Sequence, residues 1–478
     1  MNNHQNAIFH QITNFLKTPL ALLGVDLKNF QFNKICHFAN HPYLCKGLLM
    51  KFLLIFLLFT ANAYAKIDIQ HWTTPEGAKV LFVQTKGLPI LDIALSFDGA
   101  SSRDGAQYGL ASLTNNLLGT ATQYHNEEQI INAFESVGAQ FSTRSLKDMA
   151  MVSLRTLSRE AILRKSLAIF TEVVTQPQFK QHYLTREKRQ TLQAIKASKQ
   201  SPSSVASLAF NQIIFDGHPY AHNTIGKKST LRNITAQDLR HHYQQFYVAK
   251  NLTIALVGDI NKVKAKQIAR QISHGLNSGK KASVNAELSL PDYGDEIHIE
   301  FPSKQTHLLI GQVGISRSHP DYYPLYLGNH IFGGSGLTSI LSDEIREEKG
   351  LAYSAYSYFS LMQSNGAFLI RLQTKNAQAE EAKNIAIQAL DDFINYGIDE
   401  QKLQDGKDNI IGGFALETAS NSNILTYLSV IGFYDLPLDY LSSFTDKIKN
   451  ITAKDIEYAF SRLIDTDNLT ILSVGKVE

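Results

Sequence analysis

Apolar positions along the chain recur with two periods, and the switches between them lay out its elements. Val80 and Phe82, then Leu91, Ile93, Leu95 and Phe97, alternate with the period of a half-buried strand and read together as a hairpin with one buried face. From Gly109 to Leu118 the spacing lengthens to that of a helix. At 100° per residue Leu110, Leu113, Thr114, Leu117 and Leu118 share one side, with Ala111 at its edge, while Ser112, Asn115 and Asn116 share the other. A second helix is predicted over Glu127–Val137, capped by Asn126 and closed by Gly138. Strands follow at Gln140–Ser145 and Met149–Thr156, then long helical patterns at about Arg159–Val174 and Lys180–Lys199.

The pattern also repeats. Ile234-Thr-Ala-Gln-Asp-Leu239 returns as Ile451-Thr-Ala-Lys-Asp-Ile456. Asn251-Leu-Thr-Ile-Ala-Leu-Val-Gly-Asp-Ile260 returns as Asn468-Leu-Thr-Ile-Leu-Ser-Val-Gly-Lys-Val477, and both pairs share one offset of 217 residues. Each copy opens on Thr-x-x-Asp, a capping-box-like helix start, and ends in an apolar strand. Two copies of one α/β unit are therefore expected, over residues 66–278 and 295–478. The polar stretch from Leu276-Asn-Ser-Gly-Lys-Lys-Ala-Ser283 to Gly294 serves as the link, placed at 279–294.

Upstream of the repeats the pattern is of another kind. Lys51, the apolar run Phe52–Phe59 and Ala63-Tyr-Ala65 are the three parts of a secretory signal, placing it at residues 50–65 and its cleavage after Ala65. Eight apolar residues cannot span a hydrocarbon core of ~30 Å as a helix. A signal acts from the N-terminus, so Met50 reads as the start, and residues 1–49 as a non-native extension of the reading frame. The expected location is periplasmic or secreted.

Composition narrows the classes. With 478 residues, 44% hydrophobic and 19% charged, the chain can build more than one buried core. The formal charge of +3 is local. Lys17, Lys28, Lys34, Lys46 and Lys51 face only Asp26 in residues 1–65, so the remainder is close to neutral and offers no broad basic field to nucleic acid. Both cysteines, Cys36 and Cys45, precede Met50, which excludes disulfides and thiolate–metal sites from there on.

Ser112, Asn115 and Asn116 stand at i, i+3 and i+4 on one helix face. His, Glu and His at that spacing hold zinc and activate water, but a neutral amide is a poor ligand and no general base near neutral pH. His218 and His222 also lie four apart, but Pro219 breaks any helix through them. His241 and His242 point about 100° apart on a polar helix and are expected to be solvated. The glycines of Phe332-Gly-Gly-Ser-Gly336 are not followed by Gly-Lys-Ser/Thr, which argues against a phosphate cradle.

The run Phe97-Asp-Gly-Ala-Ser-Ser-Arg-Asp104, then Gly109-Leu-Ala and Leu118-Gly-Thr120, resembles the insulinase-like (pitrilysin-type) zinc metallopeptidases, and the resemblance extends from about Trp72 to the end. It implies that Ser112 and Asn116 stand where zinc-binding His residues would be, and Asn115 where the general base would be. The third ligand, a Glu, would fall at Gln193 or Ala194 in Leu184-Thr-Arg-Glu-Lys-Arg-Gln-Thr-Leu-Gln-Ala-Ile195, so it too is missing. The resemblance further implies that each copy is a largely antiparallel sheet covered by helices, an α+β fold.

In the second copy, Arg346 and Tyr353 stand seven residues apart in Arg-Glu-x-x-Gly-Leu-x-Tyr. In the family this pair contacts the substrate from the domain opposite the zinc. Read without the resemblance, Arg346 is a surface ion-pair residue near Asp343, and Tyr353 a core aromatic. Members that lack the zinc motif but keep the pair, such as the alpha subunit of mitochondrial processing peptidase, work beside a sister subunit with an intact His-x-x-Glu-His. The expectation is a substrate-binding or regulatory subunit of a heterodimeric periplasmic peptidase, with no cofactor in this chain and zinc in the partner. Two alternatives stand beside it: a structural or peptide-binding protein like the family's core subunits of respiratory complexes, and an independently active zinc peptidase with substitute ligands.

Overall fold

The computed structural model describes residues 67–285, 288 and 294–477; the signal-like segment and the residues before it lie outside these. Strands β1 (Gln70–Thr73), β2 (Lys79–Gln84), β3 (Ile90–Asp98), β4 (Gln140–Ser145), β5 (Met149–Leu157) and β6 (Leu252–Gly258) form one sheet in the order β1-β2-β6-β3-β5-β4. Strands β7 (Glu296–Glu300), β8 (Gln305–Val313), β9 (Ala352–Ser360), β10 (Ala367–Lys375) and β11 (Thr470–Gly475) form another in the order β7-β11-β8-β10-β9. With β1 set aside the two orders match strand for strand. In each, the repeated apolar run supplies the strand (β6 or β11) that enters between the first two, parallel to one and antiparallel to the other. Every other ladder is antiparallel. The repeated Thr-x-x-Asp starts are true capping boxes: Asp238 N–H donates to Thr235 Oγ1 at 3.3 Å, and Asp455 N–H to Thr452 Oγ1 at 3.2 Å.

The expected hairpin of β2 and β3 does not form, because β6 lies between them. Every residue of β6 is buried, so both of its faces need cover and both of its edges need partners. β3 is also covered on both sides. Leu91, Ile93, Leu95 and Phe97 join the core of the first half, while Ala94 joins that of the second.

That second cover is an exchange of helices. Helix Pro202–Ile214 lays Ala206, Phe210 and Ile214 on Leu309, Leu369, Leu472 and Val474 of the second sheet. Its counterpart, helix Asn421–Phe433, lays Ile424, Leu428 and Ile431 on Leu81, Val83, Ala255 and Val257 of the first. Each fully buried apolar side chain of this size contributes about 1.5–3 kcal/mol, so the exchange binds the halves firmly. Gly432 permits the approach: a Cβ there would lie 2.5 Å from Thr253 Cγ2 and 2.6 Å from Leu81 Cδ1.

A polar knot closes the same interface. Asp148, 2% exposed, accepts from Tyr220 Oη at 2.6 Å and from Gln363 N at 2.8 Å. Tyr434 Oη donates at 3.2 Å to Oδ2, the oxygen that also accepts from Gln363 N, and Ser364 N donates to Tyr220 Oη at 3.2 Å. Burial pushes the Asp148 carboxyl above its ordinary value, against the pull of these donors. The neighbouring Lys147 ammonium is pushed down to about 8 by burial, despite Asp104 and Asp148 nearby. It donates to the carbonyls of Tyr220 (2.8 Å) and His222. The described part of the predicted link is not free chain either: Ser283 O accepts from Arg103 at 2.6 Å, and Ala282 N donates to Asn251 Oδ1 at 3.0 Å.

Candidate functional site

The helix that carries the motif positions spans Leu110–Asn116, shorter at both ends than its apolar pattern. It starts at Gly109, whose φ of 96° and close neighbours (Ile225 O would lie 2.8 Å from a Cβ) require glycine. Its free N–H groups are met by Asp104, which accepts from Gly109 N and Ala111 N, each at 2.8 Å. His222 donates to the same carboxylate through Nε2 at 3.0 Å, and its ring stacks on Tyr108 at 4.2 Å. His218 is buried, and its Nδ1 accepts from Tyr220 N at 3.2 Å. The two His residues thus brace the turn, beside a cavity of about 520 Å³ lined by Ser102, Tyr108 and Asp216 among others.

The polar face of the motif helix does not look into solvent as a face. Ser112 and Asn115 are buried, and only Asn116 is exposed. Asn115 donates through Nδ2 to Met151 O at 3.2 Å and accepts at Oδ1 from Tyr247 Oη at 3.0 Å. Tyr247 is itself fully enclosed between Phe97 and Tyr243, with ring distances of 4.7 and 5.1 Å, and burial pushes its hydroxyl well up. Asn115, where the resemblance would put a general base, is therefore an amide tied into the core. Asn116 donates to Glu187 Oε1 at 3.1 Å.

Glu187 was not singled out in the sequence. It is the one carboxylate in helix Gln181–Ser198, seven residues before Ala194, two turns back on the same face. Gln193 and Ala194 are exposed. A zinc ion needs three or more His, Cys or carboxylate donors, and a serine, two amides and one carboxylate do not fit it. Among the described residues no group of three or more His, Cys, Asp or Glu could hold a metal.

His242 corrects the expectation of a solvated pair. His241 is exposed, but His242 is 2% exposed and donates through Nε2 to Gly99 O at 2.9 Å. Burial lowers its pKa, so it is held neutral in the core.

Arg346 lies in the wide helical turn Asp343–Glu348, and Tyr353 near the start of β9. Tyr353 is 86% exposed, which rules out a core aromatic. The Arg346 guanidinium sits 5.3 Å from the Tyr353 ring centre, and its ionic neighbour is Glu347 at 3.4 Å, not Asp343. Among the described residues, no hydrogen bond, ion pair or ring contact joins this pair to the motif helix.

Known proteins match both halves. A profile described as Insulinase (Peptidase family M16) matches residues 79–228, and one described as Peptidase M16 inactive domain matches residues 233–410. A crystal structure of a peptidase M16 inactive domain from Pseudomonas fluorescens is 37% identical, with a TM-score of 0.84 over 86% of this chain and 98% of that one. The chain belongs to the insulinase family of peptidases. A non-peptidase homolog, YmxG, of Helicobacter pylori is 25% identical over 90% of this chain and 98% of its own. An uncharacterized zinc protease, YmxG, of Bacillus subtilis is 21% identical over 74% and 86%. Within that family this chain is an inactive member, and among the described residues no group that could hold a catalytic zinc is formed. No helix among the described residues is long and apolar enough to cross a membrane.

Proposed function

We propose that this chain is the substrate-holding subunit of an exported heterodimeric peptidase, in which a sister chain with an intact His-x-x-Glu-His supplies zinc and base. The division into a degenerate unit at 66–278 and an Arg/Tyr-bearing unit at 295–478, linked by 279–294, belongs to that reading. One observation carries it. A chain whose own motif helix offers no ligand set keeps a half-buried arginine against the ring of an exposed tyrosine, at the family's spacing. Arg can grip a peptide carbonyl or carboxylate, and a tyrosine hydroxyl can meet a developing oxyanion. A scaffold would not need the Tyr353 ring in solvent.

Purified alone, the chain is expected to bind no stoichiometric zinc and to cleave no peptide, because Ser112, Asn115 and Asn116 supply neither ligands nor base. Mixed with the sister chain, it should restore cleavage that the sister alone lacks. Elemental analysis and a peptide-cleavage assay on each chain and on the mixture decide it; one tightly held zinc in this chain would overturn the reading. Export is checked separately. N-terminal sequencing of the secreted or periplasmic product should begin at Lys66, and a cytosolic product retaining residues 50–65 would refute the location.

A further inference from the structure

The exchanged helix Pro202–Ile214 covers only part of the second sheet. It lies on β8 and β11, and its Ser203 accepts from Arg371 of β10 through the backbone O at 3.2 Å and through Oγ at 2.5 Å. Beyond Arg371 the same face continues over β10 and β9, where among the described residues Tyr356 and Tyr358 stay partly exposed. The ladder register fixes which side chains it presents. Leu309 pairs with Arg371, and Arg371 with Tyr356, while Leu369 pairs with Tyr358. Leu309 and Leu369 lie under the helix, so Arg371, Tyr356 and Tyr358 share their side of the sheet; Gln373 and Lys375 follow by the alternation of β10. Tyr356 and Tyr358 are 37% and 36% exposed, and their rings stack 6.1 Å apart at 20°.

The charge on this face is one-sided. Strands β8, β9 and β10 and helix Pro202–Ile214 contain no aspartate or glutamate, whereas they carry Arg371 and Lys375. Arg346 adds a third cation beside β9, partly answered by Glu347. The two stacked tyrosines alternate along a strand, which matches the spacing at which an extended peptide presents side chains on one side.

We propose that this face receives an extended acidic peptide, its carboxylates directed to Arg371 and Lys375 and its aromatic or aliphatic side chains to Tyr356 and Tyr358. The inference rests on the reading of this chain as a substrate-holding subunit and names the class of substrate. Tyrosine and arginine are the usual anchors of such surfaces, and the charge term weakens with salt.

The test uses the full chain alone and fluorescence anisotropy with labelled peptides of equal length, one rich in Glu and Phe, the other rich in Lys and Phe. The acidic peptide should bind, more weakly as salt rises, and the basic one should not. Tyr356→Ser with Tyr358→Ser should weaken binding about tenfold. Lys375→Gln, at an exposed side chain that the fold does not use, should weaken the acidic peptide alone. Equal binding of the two peptides would overturn the proposal. So would full binding by the Lys375→Gln chain, or an oligonucleotide that competes as well as the acidic peptide. No sister chain is present, so failure here leaves cleavage by the mixed pair as a separate question, and failure there leaves this binding measurable.

Discussion

Tyr353→Phe in this chain is expected to lower turnover by the reconstituted pair about 100- to 1000-fold while the two chains stay associated. A peptide carbonyl attacked by zinc-bound hydroxide gains negative charge on its oxygen, and a hydroxyl already positioned there contributes ~3–4 kcal/mol to that transition state alone. Tyr353 is suited to the role because it is 86% exposed, with the Arg346 guanidinium 5.3 Å from its ring centre. Losing the hydroxyl should therefore change kcat far more than KM. Arg346→Ala should instead raise KM, and Arg346→Lys should not restore it, since an ammonium cannot reproduce the planar fork or its stacking on the ring. Size exclusion on the samples used for kinetics separates assembly from catalysis. If both variants assemble and cleave at the wild-type rate, the chain is a scaffold.

The sequence carried the architecture because it is written twice. An offset of 217 residues shared by a capping box and an apolar strand implies two copies of one unit, and β6 and β11 occupy the same place in their sheets. Pattern alone could not show that each of these strands enters between the first two of its copy. That is why β2 and β3 looked like a hairpin: strand order depends on a segment more than 150 residues downstream. Nor could it show the exchange of helices. The apolar stripe of Pro202–Ile214 states that a face is buried, not whose sheet buries it. The motif helix shows a related limit. Ser112 and Asn115 read only as part of a polar side, and nothing local shows that Tyr247 supplies Asn115 with a buried partner from 132 residues away. His242 follows the same logic, with Gly99 O as its partner. Glu187 could have been found, as the single carboxylate of its helix two turns from the position where a ligand was sought.

The knot at Asp148 left no trace in the pattern, since its members sit at positions 148, 220, 363 and 434, yet its removal is expected to be the most costly single change to the fold. Asp148→Ala leaves the hydroxyls of Tyr220 and Tyr434 and the Gln363 N–H without their acceptor at the interface of the halves. A buried donor left unmet costs about 1–3 kcal/mol, so a loss of about 3 kcal/mol or more follows, read as a lower urea midpoint. Asp148→Asn should cost less. Its amide oxygen can still accept from Tyr220, but its NH2 meets the Gln363 N–H, donor against donor. The pH dependence has a definite sign. Burial holds the Asp148 carboxyl above its ordinary value, with Asp98 acting in the same direction and Tyr220, Gln363 and Tyr434 against it. A raised carboxyl contributes stability that is fully present below the ordinary aspartate value and is lost as pH rises through the folded one. The margin of wild type over Asp148→Asn should therefore shrink as pH rises across that window. A margin that grew instead would mean that the donors and Lys147 outweigh burial. An Asp148→Ala chain unfolding at the wild-type urea concentration would show that the exchanged helices hold the halves together without the knot.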